Sequence, residues 1–331
     1  MKIKSLAIVG FGSIGKKYLG LLKKIKPKLK IVIVRRKSSK KINLKGSLVK
    51  QVLSIKEAIK SGIQAAIISS PAPFHLRQGI QLMQSNVHIL IEKPLSHDLK
   101  NTKKFFKIFK KKKIVGLIGY CLRYETTLKK FKKILESKDF GNPLFVQIES
   151  ISYLPSWRKN FDYRHSVSAS KKLGGGVLLE LSHELDYLRW FFGEVKNVYA
   201  KLTNSNTLKI NVEDNAEIIL ETYSGITILV NLNFSTKSVS RKCILTGTKG
   251  LLEADLVNNS LSLKKNNKKT KIQFFKKRSD LKYEKQIKHF FECIELNKKP
   301  LVNFREGLKT LKLANAIKLS NKYNRPIAVA K

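Results

Sequence analysis

Lys93 is the first residue whose setting suggests chemistry. It follows the run 87–91, which reads as a strand buried on both faces, and Glu92; Pro94 comes directly after it. A lysine elsewhere on this chain is a solvated charge. At the end of a buried strand its ammonium is partly desolvated and can polarise an oxygen or pass a proton. A second set lies in 177–192. There Glu180, His183, Glu184 and Tyr187 recur at helical spacing, with Asp186 beside His183, opposite Leu178, Leu181, Leu185, Leu188 and Phe192. This is either an amphipathic helix showing its polar side to water or a working face. The second reading is favoured because the face carries histidine, tyrosine and carboxylates but no lysine, in a chain whose solvent faces are mostly lysine. His183-Glu184 opens like a zinc-protease motif, but position 187 is tyrosine, so no metal is expected.

The third set is Gly10-x-Gly12-x-x-Gly15, directly after the apolar run 6–9 and directly before an apolar pattern of helical spacing. Strand, glycine turn and helix start come in the order a dinucleotide site requires. Gly10 permits the tight turn, Gly12 lets the backbone approach a pyrophosphate, and Gly15 lets the helix lie against the strand. Ser13 and Ile14 complete this cofactor-binding turn. A second apolar run, 31–34, ends in Arg35-Arg36-Lys37-Ser38. An acidic residue near this point accepts the ribose hydroxyls of NAD. None is present, and Arg35, Arg36 and Ser38 suit a 2′-phosphate, so NADP is favoured over NAD.

The elements that must position these groups divide the chain in two. Over residues 1–121 strands at 6–9, 31–34, 65–68, 87–91 and 114–119 alternate with helices, which predicts a parallel, doubly wound sheet of the α/β class. Ligands in such sheets bind beyond the carboxyl ends of the strands. That rule gathers 10–15, 35–38, 69–75, 92–94 and 119–123 on one rim, adding Ser70, Pro71, His75, Glu92 and Pro94 to the cofactor set. His75 either faces the cofactor or caps the helix that follows it. Residues 122–331 form the second domain. After a helix at 125–135 and a strand at 144–151 comes the long loop 153–176. Then the 177–192 helix leads to strands at 195–202, 216–223, 226–234, 242–247, 250–255, 260–263 and 271–275. These predict an open, mostly antiparallel sheet, followed by helices at 284–296 and 305–323 and a strand at 326–329. A loop as long as 153–176 itself hints at function. Arg123, Arg158 and Tyr163 are either substrate contacts or structural residues.

Composition sets the outer limits. Of 331 residues 42% are hydrophobic, enough for two real cores. The three cysteines, Cys121, Cys243 and Cys293, are widely spaced and odd in number, so neither a disulfide framework nor a zinc site is indicated. The opening apolar run is short, glycine-broken and lacks a small-residue cleavage site, so it is not read as a secretory leader. No apolar stretch approaches the roughly 20 residues that span a bilayer, and a cytoplasmic protein is expected. The formal net charge is +44. It comes from lysines scattered end to end rather than a basic stripe interleaved with aromatics. Specific nucleic-acid binding is therefore not expected, and any adhesion to polyanions is salt-sensitive.

Together, GFGSIG at 10–15, SSPAPFH at 69–75, EKP at 92–94, GYCLRY at 119–124 and GGGVLLELSHELD at 174–186 resemble, in order and spacing, the Gfo/Idh/MocA family of NAD(P)-dependent oxidoreductases. The resemblance spans essentially the whole chain. It implies a Rossmann domain, and a C-terminal α/β domain whose open sheet often serves oligomerisation. It also implies a cis peptide before Pro94, and places Lys93 and His183 at the reacting carbinol. Many members carry an aspartate four residues before the histidine; here Leu179 stands there, and Glu180 is the nearest carboxylate. A looser resemblance of the 153–176 loop to enzymes of surface-polysaccharide and sugar biosynthesis leans the substrate towards a sugar or nucleotide sugar. The expected activity is hydride transfer between NAD(P) and a hydroxyl or keto carbon. In it Lys93 stabilises the alkoxide, His183 exchanges the proton, and Glu180 orients either one. The rival is a non-catalytic NAD(P)-sensing regulator on the same fold, which has no use for Lys93 and His183.

Overall fold

The computed structural model describes residues 2–35, 48–137, 140–158, 160–278 and 280–330. The chain opens with β1 (Ser5–Val9), α1 (Ser13–Ile25), β2 (Lys30–Val34), β3 (Val49–Val52), α2 (Ile55–Lys60), β4 (Ala65–Ile68), α3 (His75–Gln84), β5 (His88–Ile91), α4 (Thr102–Phe109) and β6 (Gly116–Ile118). It continues with α5 (Thr126–Ser137), β7 (Pro143–Ile151), α6 (Val177–Glu180) and α7 (His183–Phe192). Then come β8 (Val195–Thr203), β9 (Asn215–Thr222), β10 (Thr227–Asn233), β11 (Ser240–Gly247), β12 (Gly250–Asp255), β13 (Ser260–Lys265) and β14 (Lys271–Phe274). The last elements are α8 (Leu281–Glu295), α9 (Phe304–Tyr323) and β15 (Ile327–Ala328).

Two compact units result: residues 1–121 with 280–308, and residues 122–279 with 309–331. The boundary expected after 121 is therefore only the first crossing. Residues 280–308, expected in the second domain, return to the first, because α8 supplies apolar side chains that the first sheet needs.

In the first unit all six strands are parallel, in the order β3-β2-β1-β4-β5-β6. Alternate residues of each strand serve opposite faces. Ala7, Val9, Ala66, Ile68, Ile89 and Ile91 pack with Ile55, Ala58, Leu76, Leu82 and Phe105 of α2, α3 and α4. Leu6, Ile8, Ile31, Ile33, Ile67 and Leu90 pack with Tyr18, Leu21 and Leu22 of α1 and with Ile287, Phe290, Phe291 and Ile294 of α8. This two-sided burial is why the strands read as continuous apolar runs. The strand order reverses between β1 and β4, where the crevice of such a sheet opens. β3 had no counterpart in the sequence pattern, since Val49-Lys50-Gln51-Val52 is an edge strand with only two apolar residues.

The second unit is a nine-stranded sheet, β14-β13-β12-β11-β7-β10-β9-β8-β15, antiparallel apart from the β7–β10 pair. One face carries the core: Val146, Ile148, Ile218, Leu220, Ile228, Val230 and Leu245 pack with Phe131, Leu185, Leu188, Phe191, Leu313 and Ile317 from α5, α7 and α9. The other face alternates outward along β9 and β10. The helix expected over 177–192 is two helices. At Leu181 and Ser182 the turn tightens, and Glu184 N–H bonds back three residues to the Leu181 carbonyl. Among the described residues no helix is long and apolar enough to cross a membrane.

Candidate active site

The rim of the first unit starts at the glycine turn. Gly10 has φ +88°, and a Cβ there would lie 2.7 Å from Ser70 N, so the two loops approach at a distance only glycine allows. Ser69 Oγ donates to the Gly10 carbonyl at 2.8 Å and ties them together. α1 then begins from Gly12 with no side-chain cap and no acidic residue in its first turn. A Cβ at Gly12 would meet nothing within 4 Å, and Ser13 is exposed. The uncapped amides at the positive end of a 13-residue helix thus face open space, which suits a dinucleotide diphosphate. Ile14 packs at the edge of the core and Gly15 is buried. Arg35, just beyond β2, lays its guanidinium 5.9 Å from the Phe11 ring centroid. Arg36 and Ser38 lie outside the described residues.

The loop after β4 and the turn after β5 are clipped together. His75 is 1% exposed; its Nδ1 lies 2.9 Å from the Pro94 carbonyl oxygen and its Nε2 2.7 Å from that of Ser70. Burial pushes its pKa down, against the pull of the two carbonyls. His75, held open as a cofactor contact or a cap of the helix that follows, here ties loop to loop. Ser70 Oγ donates to Gln78 Oε1, and Pro71 precedes the short turn that leads into α3. The Lys93–Pro94 peptide is cis, as the resemblance implies. Lys93 is half-buried, while Glu92 is buried at 8% exposure and accepts the Lys93 backbone N–H at Oε2.

In the second unit the motif helices carry Glu180 and His183 at adjoining ends, both half-buried. The polar face expected to include Glu184 and Tyr187 is not one. Both are 0% exposed and Asp186 is 1% exposed, because α7 is buried all round: Leu185, Leu188 and Phe192 of the opposite face are buried as well. The buried charges are paired, as burial demands. Glu184 Oε1 accepts Arg241 Nε at 2.7 Å. Asp186 accepts Arg123 Nε at 2.8 Å and Nη2 at 2.9 Å, a two-point pair. Arg189 pairs with both oxygens of Glu194 and donates to Thr310 Oγ1 at 2.8 Å. Three struts thus set the axis and rotation of α7, and with them His183. At the other end, Val177 N–H bonds the Glu213 carbonyl at 2.9 Å and starts α6.

Of the three residues held open as substrate contacts, Arg123 is 4% exposed, pairs with Asp186 and lies 5.5 Å from the Trp190 ring centroid. Tyr163 donates its hydroxyl to the Leu208 carbonyl at 3.0 Å. Arg158 is exposed, 5.9 Å from the Phe161 ring centroid. Arg241 was not singled out in the sequence; nothing local marks it, since its partner lies 57 residues away.

A parallel sheet of this order, an open glycine turn and a Glu-Lys-Pro turn on one rim define a dinucleotide-dependent oxidoreductase of the Rossmann class. Residues 4–120 match the oxidoreductase family's NAD-binding Rossmann fold, and residues 132–329 match its C-terminal alpha/beta domain. The chain belongs to the Gfo/Idh/MocA oxidoreductase family. Myo-inositol 2-dehydrogenase of Thermotoga maritima is 24% identical over 97% of both chains. Levoglucosan dehydrogenase, solved with NADH, superposes with a TM-score of 0.86 at 17% identity over 99% of both chains. The WlbA dehydrogenase of Bordetella pertussis, solved with NADH and UDP-GlcNAcA, gives 0.81 at 20% identity over 100% of both.

Proposed function

We propose that this protein moves a hydride between NAD(P) and a hydroxyl or keto carbon of a sugar or nucleotide sugar. The observation that carries the reading is the pairing, on one rim, of an open and uncapped helix start with a half-buried lysine on a clipped turn. The relatives' substrates support the sugar class: inositol, levoglucosan and a nucleotide sugar appear in their names. When bound, the nicotinamide supplies the hydride acceptor or donor. The protein supplies the rest. His183 takes the hydroxyl proton as the carbinol is oxidised, and returns it in the reverse direction. Lys93 holds the negative charge that develops on the oxygen, and Glu180 orients His183. Arg123, committed to Asp186, positions α7. Arg158, whose head is exposed, is the substrate contact retained from the sequence. A purely sensory protein has no need of Lys93 and His183.

NADP is favoured over NAD, since the segment after β2 offers Arg35, Arg36 and Ser38 and no carboxylate. The open face of the second sheet exposes Ile219 and Tyr199 between Lys201, Glu217, Glu149 and Lys242, a mixed surface suited to a second copy of the chain. The three cysteines are free and buried, as suits a reducing cytoplasm. The test is a screen of polyols, sugars and nucleotide sugars with NAD and NADP, followed at the nicotinamide absorbance. Turnover of a member of these classes that is lost in Lys93→Met establishes the reading. Cofactor binding with no turnover across the screen, and a cofactor affinity indifferent to every compound, refutes it in favour of sensing.

A further inference from the structure

The first unit holds a buried polar chain that this chemistry does not use. Tyr18 lies on α1, three residues after Gly15, and is 0% exposed. Its hydroxyl donates to Glu92 Oε1 and lies 3.1 Å from Gln286 Oε1 on α8, also 0% exposed. Glu92 Oε2 accepts the Lys93 backbone N–H at 3.2 Å. A Cβ at position 119 would lie 2.9 Å from Glu92 Oε2, so Gly119 leaves the room this carboxylate occupies.

A tyrosine hydroxyl has one hydrogen and cannot donate to two acceptors. The carboxylate wins it, because a bond to an ionised acceptor is roughly twice as strong as a neutral one. Gln286 must then turn its amide, presenting NH₂ to the Tyr18 oxygen. That orientation also provides for Gln286 Nε2, which otherwise is buried with no acceptor. The bonds now run one way: Gln286 Nε2–H to Tyr18, Tyr18 O–H to Glu92 Oε1, with Lys93 N–H closing on Oε2. Burial, reinforced by Glu92, raises the Tyr18 pKa well above its ordinary value, so it stays a donor.

We propose that Tyr18 and Gln286 are positioning residues: through Glu92, an internal strut rather than a cofactor ligand, they fix the backbone that presents Lys93. This rests on the reading of Lys93 as the group at the reacting oxygen. It ties the lysine both to the helix whose first turn faces the diphosphate and to the segment 280–308.

The test uses Tyr18→Phe, which keeps the ring and removes the donor, together with Glu92→Gln and the double variant in the full chain. Hydrogen exchange of the Lys93 amide, read without cofactor, should accelerate about tenfold in Tyr18→Phe while the β5 amides Ile89 and Ile91 keep their protection. Turnover should fall about ten- to a hundredfold with the cofactor KM changed less than about threefold. In the Glu92→Gln background Tyr18→Phe should add less than about a factor of two, since both act through one carboxylate. Gln286→Met, expected to shift the same readouts in the same direction, stands in if Tyr18→Phe does not fold. Unchanged Lys93 exchange, or additive losses in the double variant, overturns the proposal. Faster exchange combined with near-normal turnover in Lys93→Met leaves the strut standing and removes the catalytic reading instead.

Discussion

Lys93 and His183 are 90 positions apart, and each is half-buried rather than solvated like most of the chain's lysines. Each proton-handling group typically contributes about 10² to 10⁴ in rate. Lys93→Met and His183→Phe should therefore each lower kcat on that scale while NAD(P)H affinity, measured by fluorescence titration, stays within about threefold. A double variant losing as much as the product of the two would mean that the groups act on separate steps. Near-normal turnover in either single variant would remove that residue from the chemistry. Cofactor choice is also decided by side chains. Arg35→Asp together with Arg36→Ala removes a charge-assisted contact to a 2′-phosphate and introduces repulsion. NADP affinity should fall at least about tenfold more than NAD affinity. Equal losses, or a wild-type preference for NAD, would show that the 2′-phosphate is not read here.

The element on which the second unit turns is α7, short and held by charge. Removing one partner of a buried pair such as Asp186–Arg123 costs about 3–5 kcal/mol, because the other charge is left stranded. The Arg189–Glu194 strut has a pH signature. Burial pushes the Glu194 carboxyl up, but the bonds and charges of Arg189 and Lys309 outweigh it and hold the group at about 2. A depressed carboxyl stabilises the fold at neutral pH, and that contribution drains away as pH falls from about 4.5 towards 2. Thermal melts of wild type and Glu194→Gln should therefore converge across that window, the variant being the less stable at pH 7. A gap that stays constant with pH would show that the strut is not ionic. Two of the three struts were not legible in the sequence, since Arg123–Asp186 and Glu184–Arg241 span 63 and 57 residues. The break at Leu181-Ser182 was also invisible, having neither glycine nor proline to mark it. β1, β4 and the glycine turn were legible because their signals are local: a strand buried on both faces must be apolar throughout, and a turn at φ +88° needs glycine.

At the scale of the whole molecule, the return of 280–308 matters most. Sequence periodicity shows that α8 is amphipathic but not which core it serves. Ile287, Phe290, Phe291 and Ile294 bury against the first sheet, and four such side chains are worth roughly 6–12 kcal/mol. That equals much of the roughly 5–15 kcal/mol that holds a domain folded. A fragment ending at 121 should therefore bind ANS and lack a cooperative melt, whereas 1–121 joined by a flexible linker to 280–308 should melt cooperatively and bind NAD(P)H. A cooperative fragment 1–121 would show α8 to be dispensable. The same return has a consequence for birth on the ribosome. At about 5–20 residues per second, the chain from 121 to 308 takes on the order of ten to forty seconds to emerge. Throughout that interval the face of the first sheet that α8 will cover has only α1 packed against it. The second unit also waits, because Leu313, Ala314 and Ile317 of its core and the edge strand β15 come later still. A nascent chain that stops short of residue 280 thus leaves both cores unfinished, so a truncated product should go to proteolysis as a whole rather than survive as a stable half.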